Sequence, residues 1–138
     1  MRDLTQLVVS VAKQSHLIEQ ALSEETDLPV SQIRLLLGMN EHSVNLQQLK
    51  DILALDISTL SRQLAPLVKH GEVAVLTTND KRQRQYRLTD TGLAHHQQLW
   101  HRLEQLQASW TEDWSTTDIE SLAKLLQRLL KNMKTSDI

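Results

Sequence analysis

The sequence predicts a mostly helical fold carrying one short β-hairpin, and three observations lead there. Apolar residues recur at helical spacing over most of the 138 residues, only three glycines and two prolines are available for tight turns, and one stretch, residues 73–88, has strand composition. A many-stranded sheet needs more turn residues than this. A chain of this length builds one domain with its own core. Apolar residues make up 40% and charged residues 23%, the balance of a globular chain rather than a disordered one. No apolar run approaches the roughly 20 residues of a membrane span, and Met1-Arg2-Asp3 does not open a signal pattern. The lack of cysteine excludes disulfides, thiolate zinc sites and thiol redox switching. With no targeting segment, a cytoplasmic protein is expected.

Each element has its own local reason. Leu4, Leu7, Val8, Val11, Ile18 and Leu22 form a helical stripe, interrupted at Ser15 and ended by Ser23-Glu24-Glu25-Thr26-Asp27. Pro29 suits a helix start, Ile33, Leu36 and Leu37 share a face, and Gly38 is a stop signal. Asn45 can cap a short helix with Leu46, Leu49 and Ile52 inward. Asp56 caps the next helix, because its carboxylate accepts from the free N–H groups of the first turn. Leu60, Leu64 and Leu67 form that helix's core side. Lys69-His70-Gly71 ends it, since cations suit the negative helix end and glycine takes the left-handed conformation. Val73–Thr77 and Gln85–Leu88 flank a polar tip, Thr78-Asn79-Asp80-Lys81, and read as a hairpin. Thr89 can cap a long helix with Leu93, Leu99, Trp100, Leu103 and Leu106. After a break at residues 111–117, Ser115 and Asp118 resemble a capping box. It opens a broadly apolar last helix with Ile119, Leu122, Leu125, Leu126, Leu129, Leu130 and Met133.

This order makes residues 46–69 a helix-turn-helix, residues 73–88 a wing, and residues 28–92 a winged-helix lobe. Residues 1–22 and 110–138 form a helical region too apolar for lone surface helices, so they call for a partner. The charge distribution points to what the lobe touches. The net charge is −2, yet Lys81, Arg82, Arg84 and Arg87 place four cations in seven residues without an acid. At 100° per residue, Ser58, Arg62 and Lys69 fall about opposite Leu60 on the capped helix, flanked by Thr59 and Pro66 on one side and Ser61 and Ala65 on the other. Hydroxyls bond phosphates or base edges, and arginine pairs bidentately with guanine. A basic helix face and a basic hairpin so close together suit adjacent grooves of duplex DNA. A solvated helix face and an edge strand protected by cations are the plainer readings of the same residues.

These residues resemble the MarR family of bacterial winged helix-turn-helix transcriptional regulators. The runs are Asn45-Leu46-Gln47-Gln48-Leu49, Asp56-Ile57-Ser58-Thr59-Leu60-Ser61-Arg62-Gln63-Leu64 and Leu67-Val68-Lys69-His70-Gly71. The wing tip Asp80-Lys81-Arg82 and the junction Leu88-Thr89-Asp90-Thr91-Gly92 are similar to the family's too, and Trp114-Ser115-Thr116-Thr117-Asp118 resembles the opening of its closing helix. The resemblance covers the whole chain, as a single domain over residues 1–138. It implies a homodimer paired through the first and last helices, bound to a pseudo-palindromic operator as a ligand-responsive repressor. Ser58, Thr59, Ser61, Arg62, Gln63, Lys69, Lys81, Arg82 and Arg84 are the expected DNA contacts, with Asp80 orienting the wing arginines and Asp56 and Gly71 as caps. Two departures stand out: Glu72 follows the exit glycine where the family has an apolar residue, and Ala74-Val75 stands where it often has a charge.

Other chemistries find less support. His95, His96 and His101 share a helix without the i,i+4 spacing that presents two imidazoles to one metal, and His42 joins them only in three dimensions, so no metal site is expected. Asp80 with Asp90, or Glu24 with Glu25, lack a nucleophile, oxyanion hole or phosphate loop, so no enzyme is expected. No cofactor is expected; a small-molecule effector of unidentified chemistry is implied by the resemblance alone, lodged between the dimerisation helices and the DNA-binding lobe, with His16, Trp100 and Trp110 as lining candidates. The alternatives to the DNA-binding regulator are a winged-helix protein-interaction module and a metal-responsive regulator.

Overall fold

The first helix, α1 (Arg2–Thr26), runs unbroken through Ser15 and past the expected end at Leu22. Thr26 Oγ1 donates to Leu22 O at 2.7 Å and Ser23 Oγ to Leu28 O at 2.6 Å. The polar residues expected to stop the helix instead bond within its last turn or just beyond it. The helix ends where Asp27 takes φ 58°, a conformation that short polar side chains tolerate. These features belong to a computed structural model that describes residues 2–76 and 84–137.

The remaining elements are α2 (Val30–Gly38), α3 (Leu46–Leu53), α4 (Ile57–Lys69), β1 (Val73–Leu76), β2 (Gln85–Leu88), α5 (Asp90–Trp110) and α6 (Thr116–Lys134). The chain divides into two compact units, Met1–His101 and Arg102–Ile138. In the first unit α2 is central, packing against α1, α3 and α4. Ile33, Leu35 and Leu36 are fully buried there, each contributing roughly 1.5–3 kcal/mol of transfer free energy. Leu22 of α1, Leu49 of α3 and Leu60, Leu64 and Leu67 of α4 complete this core. A bidentate pair fastens α1 to α2: Arg34 Nε and Nη2 donate to Glu19 at 2.5 and 2.8 Å. The Arg34 hydrogen bonds hold the Glu19 carboxyl below its ordinary range.

Ile52 departs from expectation. It is 53% exposed, while Leu53 is half-buried. Leu53 lies nearly two full turns after Leu46, on the inward side, and Ile52 is rotated about 100° away from it.

The hairpin is antiparallel, pairing Val73 with Leu88 and Val75 with Tyr86. Val73, Tyr86 and Leu88 are buried, while Leu76 and Arg87 face outward. Beyond the two expected strands, Val44 bridges Tyr86 through both of its backbone groups (2.9 and 2.7 Å), covering part of the outer edge of β2. The expected wing tip, with Asp80, Lys81 and Arg82, lies outside the described residues.

The second unit contains the end of α5 and all of α6. Ser115 and Asp118 form the expected reciprocal capping box at its start. No residue of α6 is buried, although Leu122, Leu125, Leu126, Leu130 and Met133 are 41–59% exposed. Such a face in a lone chain marks an interaction surface. Among the described residues, no helix is long and apolar enough to cross a membrane.

Candidate nucleic-acid interface

The free face of α4 is built from both of its ends. The preceding turn is set by the Asn45–Gln48 capping box of α3 and by Ala54, whose φ of 55° reverses the chain. Asp56 then caps α4, accepting from Thr59 N at 2.8 Å, Ser58 Oγ at 2.6 Å and Thr59 Oγ1 at 2.9 Å. The Ser58 hydroxyl, followed by the backbone and hydroxyl of Thr59, holds the Asp56 carboxyl down at about 2, with desolvation opposing them and nearby Arg62 helping. The value lies below the ordinary 3.8, so this stabilisation is complete above the ordinary value and lost as pH falls toward about 2. Asp56→Asn keeps the cap without the charge. It is therefore expected to lose less stability than the wild type between pH 4 and pH 2, measured by urea unfolding; parallel acid limbs would contradict this role for the carboxylate.

At the other end the chain leaves α4 through a Schellman turn: Glu72 N donates to Leu67 O at 2.9 Å and Gly71 N to Val68 O at 3.1 Å. Gly71 has φ 76°, the conformation foreseen for it. Thr89 Oγ1 donates to Gly71 O at 2.6 Å and accepts from Gly92 N at 3.1 Å, so the cap of α5 is also tied to the end of α4.

Between these ends, Ser58, Ser61, Arg62 and Lys69 are exposed, and Thr59 is half-buried. The hydroxyl protons of Ser58 and Thr59 point to Asp56, which leaves the oxygens of both as acceptors toward a ligand. Gln63 departs from the expected contact set. Its amide oxygen is buried, with no hydrogen-bond partner among the described residues, because Gln63 sits toward the core flank of the helix. Ser61, Lys69 and Arg84 line one cleft of about 350 Å³ between α4 and the hairpin, floored by Leu64, Val75 and Tyr86. The structure therefore brings Arg84 to the α4 side of the hairpin. Lys81, Arg82 and Asp80 lie outside the described residues.

The expected effector-lining residues are each accounted for separately. His16 is exposed on α1 and shares a hydrogen bond with Gln20 at 3.1 Å. Trp100 is 42% exposed and donates from Nε1 to Leu37 O at 3.1 Å. Trp110, 52% exposed, belongs to the second unit. Among the described residues no three His, Cys, Asp or Glu side chains gather as metal ligands. Two histidines have partners that periodicity did not reveal: His96 Nδ1 bonds Leu36 O at 2.6 Å, and His95 Nδ1 meets the buried Glu72 carboxylate. The acid after the exit glycine was the sequence's signal for the His95 contact; the His96 contact, to a backbone carbonyl, had none.

No family model matches the chain, and no curated protein matches it. Solved structures do. A MarR family transcriptional regulator from Listeria monocytogenes, complexed with a 26mer DNA, is 21% identical, covers 96% of this chain and 90% of its own, and superposes with a TM-score of 0.83. MarR from E. coli in its reduced form is 27% identical over 92% of this chain and 96% of its own, with a TM-score of 0.72. A MarR family regulator from Silicibacter pomeroyi is 25% identical over 94% and 87%, with a TM-score of 0.74.

Proposed function

We infer that this chain, a winged-helix protein of the MarR family by fold and by motif, is a DNA-binding transcriptional regulator that acts as a homodimer, and is not an enzyme. One observation carries the reading furthest. The exposed face of α4 presents Ser58, Ser61 and Arg62, and the cleft beside it gathers Lys69 and Arg84, so groups suited to base edges and to phosphates lie side by side. The apolar, uncovered face of α6 supports the homodimer.

In this reading Ser58, Thr59 and Arg62 enter the major groove, while Lys69, Arg84 and the wing cations Lys81 and Arg82 hold phosphates and the minor groove. Two-fold symmetry sets half-sites roughly 10 bp apart, centre to centre. The protein works in the cytoplasm as a ligand-responsive repressor, its effector changing operator affinity through a coupling measurable as a shift in Kd.

The test is a fluorescence-anisotropy titration against pooled genomic DNA fragments across a salt series, with an Arg62→Ala/Arg84→Ala variant alongside. The wild type is expected to retain a subset of fragments at physiological salt and the variant to lose it. Lys69→Ala or Arg84→Ala alone should weaken all sequences alike and reduce the log–log salt slope by about 0.9 per lost phosphate contact. A wild type that binds no fragment even at low salt, before and after refolding to strip a copurified ligand, would favour a protein-interaction module instead.

A further inference from the structure

The core side of α4 is complete without the helix's first residue. Leu60, Leu64 and Leu67 are each at most 1% exposed, whereas Ile57, which opens the helix, is 44% exposed. At about 100° per residue, Ile57 begins a row that continues four residues at a time through Ser61, Ala65 and Lys69. All four are exposed, and the last three line the cleft beside the hairpin. Ile57 is the member of the row that stands beyond the cleft, at the N-terminal end.

Local structure does not ask for isoleucine there. The cap is supplied by the Asp56 carboxylate, which accepts from Ser58 and Thr59. β-Branching lowers helix propensity, and an aliphatic group left in water forgoes the free energy of burial. The position has another property. Cα–Cβ bonds tilt toward the helix N-terminus, so a side chain at the first helical residue stands past the end of the helix. For a helix that enters the major groove by its N-terminal turn, this is where base edges lie.

The chemistry of the turn then sorts itself. Of the exposed residues from Ile57 to Arg62, Ile57 alone is aliphatic. The Ser58 and Thr59 oxygens and the Arg62 guanidinium match hydrogen-bonding edges. The major groove presents one strongly apolar feature, the 5-methyl group of thymine.

We propose that Ile57 is a specificity-determining residue that reads one thymine in each half-site by packing on its 5-methyl group. This deepens the DNA-binding reading above and rests on it. The contact is apolar on both sides, so it adds sequence preference without releasing counterions.

The experiment starts from a duplex selected by wild-type protein from a pool of genomic fragments. It is resynthesised with symmetry-related thymines replaced by deoxyuridine, one pair at a time, which removes the methyl and keeps the base pairing. Anisotropy titrations compare wild type with Ile57→Ala, Ile57→Ser and Ile57→Val, each shown by circular dichroism to be folded. For the wild type, one thymine pair should stand out, its replacement weakening binding roughly fourfold per methyl and about 15-fold for the pair. The same replacement should cost Ile57→Ala and Ile57→Ser less than about twofold, while Ile57→Val, still branched at Cβ, keeps most of the sensitivity. Any effect of the methyl on DNA shape is common to all four proteins and cancels in the comparison. On the unmodified duplex, Ile57→Ala should bind more weakly with the salt slope of the wild type. A merely structural role for Ile57 would leave the cost of losing each methyl the same in every protein, and that result would overturn the proposal. So would a wild type indifferent to the methyl of every thymine. A wild type that binds no fragment even at low salt would overturn the DNA-binding reading and this assignment with it.

Discussion

Replacing Gly92 with alanine is expected to destabilise the protein by about 3 kcal/mol or more, lowering Tm on the order of 10 °C at fixed protein concentration. A Cβ at this position would sit 2.0 Å from Glu72 O and 2.9 Å from its carbonyl carbon, with Leu88 Cδ2 at 3.2 Å. The obstacle is backbone, and that backbone is held by Leu67 and Thr89. It cannot yield without opening the α4 exit or the cap of α5. Helix propensity works the other way, since alanine is favoured over glycine by about 1 kcal/mol in a helix. A destabilised variant therefore isolates the steric contact. Gly38→Ala is the control: the Cβ there meets the end of the Leu53 side chain at 2.9 Å, a group that can rotate aside, and the variant should unfold within a few degrees of the wild type. Thermal unfolding of both variants decides the point, and a Gly92→Ala protein as stable as the wild type would show that the Glu72 carbonyl is free to move away from α5.

Arg62→Ala is expected to weaken binding to the selected duplex by about 1–3 kcal/mol, roughly 5- to 150-fold, and to relax the sequence preference at one base step. Arg62 is exposed in the second turn of α4, beside Asp56, Ser58 and Thr59. The side chain makes no contribution to the buried core, so thermal stability should be unchanged. Loss of affinity that is equal across all sequences would make Arg62 a phosphate contact rather than a base contact, and unchanged affinity would remove it from the interface. Arg62→Lys should recover charge and the salt slope but not the sequence preference, because a bidentate pair with guanine needs the planar fork of guanidinium.

Local chemistry made much of this molecule legible in advance. Asp56, Asn45 and Ser115 are caps because a short acceptor before an apolar-periodic run has little else to bond. Leu60, Leu64 and Leu67 are buried because 100° per residue puts them on one side, and that same count left Ser58, Arg62 and Lys69 free. Gly71 takes the left-handed conformation at a helix exit for the reason glycine usually does. What failed locally was the assignment of polar residues at helix ends. Ser23 and Thr26 read as breakers from composition, yet their hydroxyls bond carbonyls in and beside the last turn, and α1 continues through them. Ile52 belongs to a short apolar stripe in which Leu53 is the better-aligned residue, and it is Leu53 that turns inward.

The sequence alone therefore determined the helix order, the capped and groove-sized face of α4, the hairpin after it and the apolar surplus of the terminal helices, all of which follow from interactions within a few residues. Only the tertiary structure decided that Val44 adds a bridge to β2, that Arg84 joins Lys69 and Ser61 at one cleft, that Gln63 turns its oxygen inward, and that Glu72 is buried against His95. All but the Gln63 oxygen join residues from different elements, Glu72 and His95 lying 23 positions apart in the chain. Periodicity says which side of a helix is apolar; which neighbour that side meets, and which polar atom must follow it into the interior, is settled only when the elements pack.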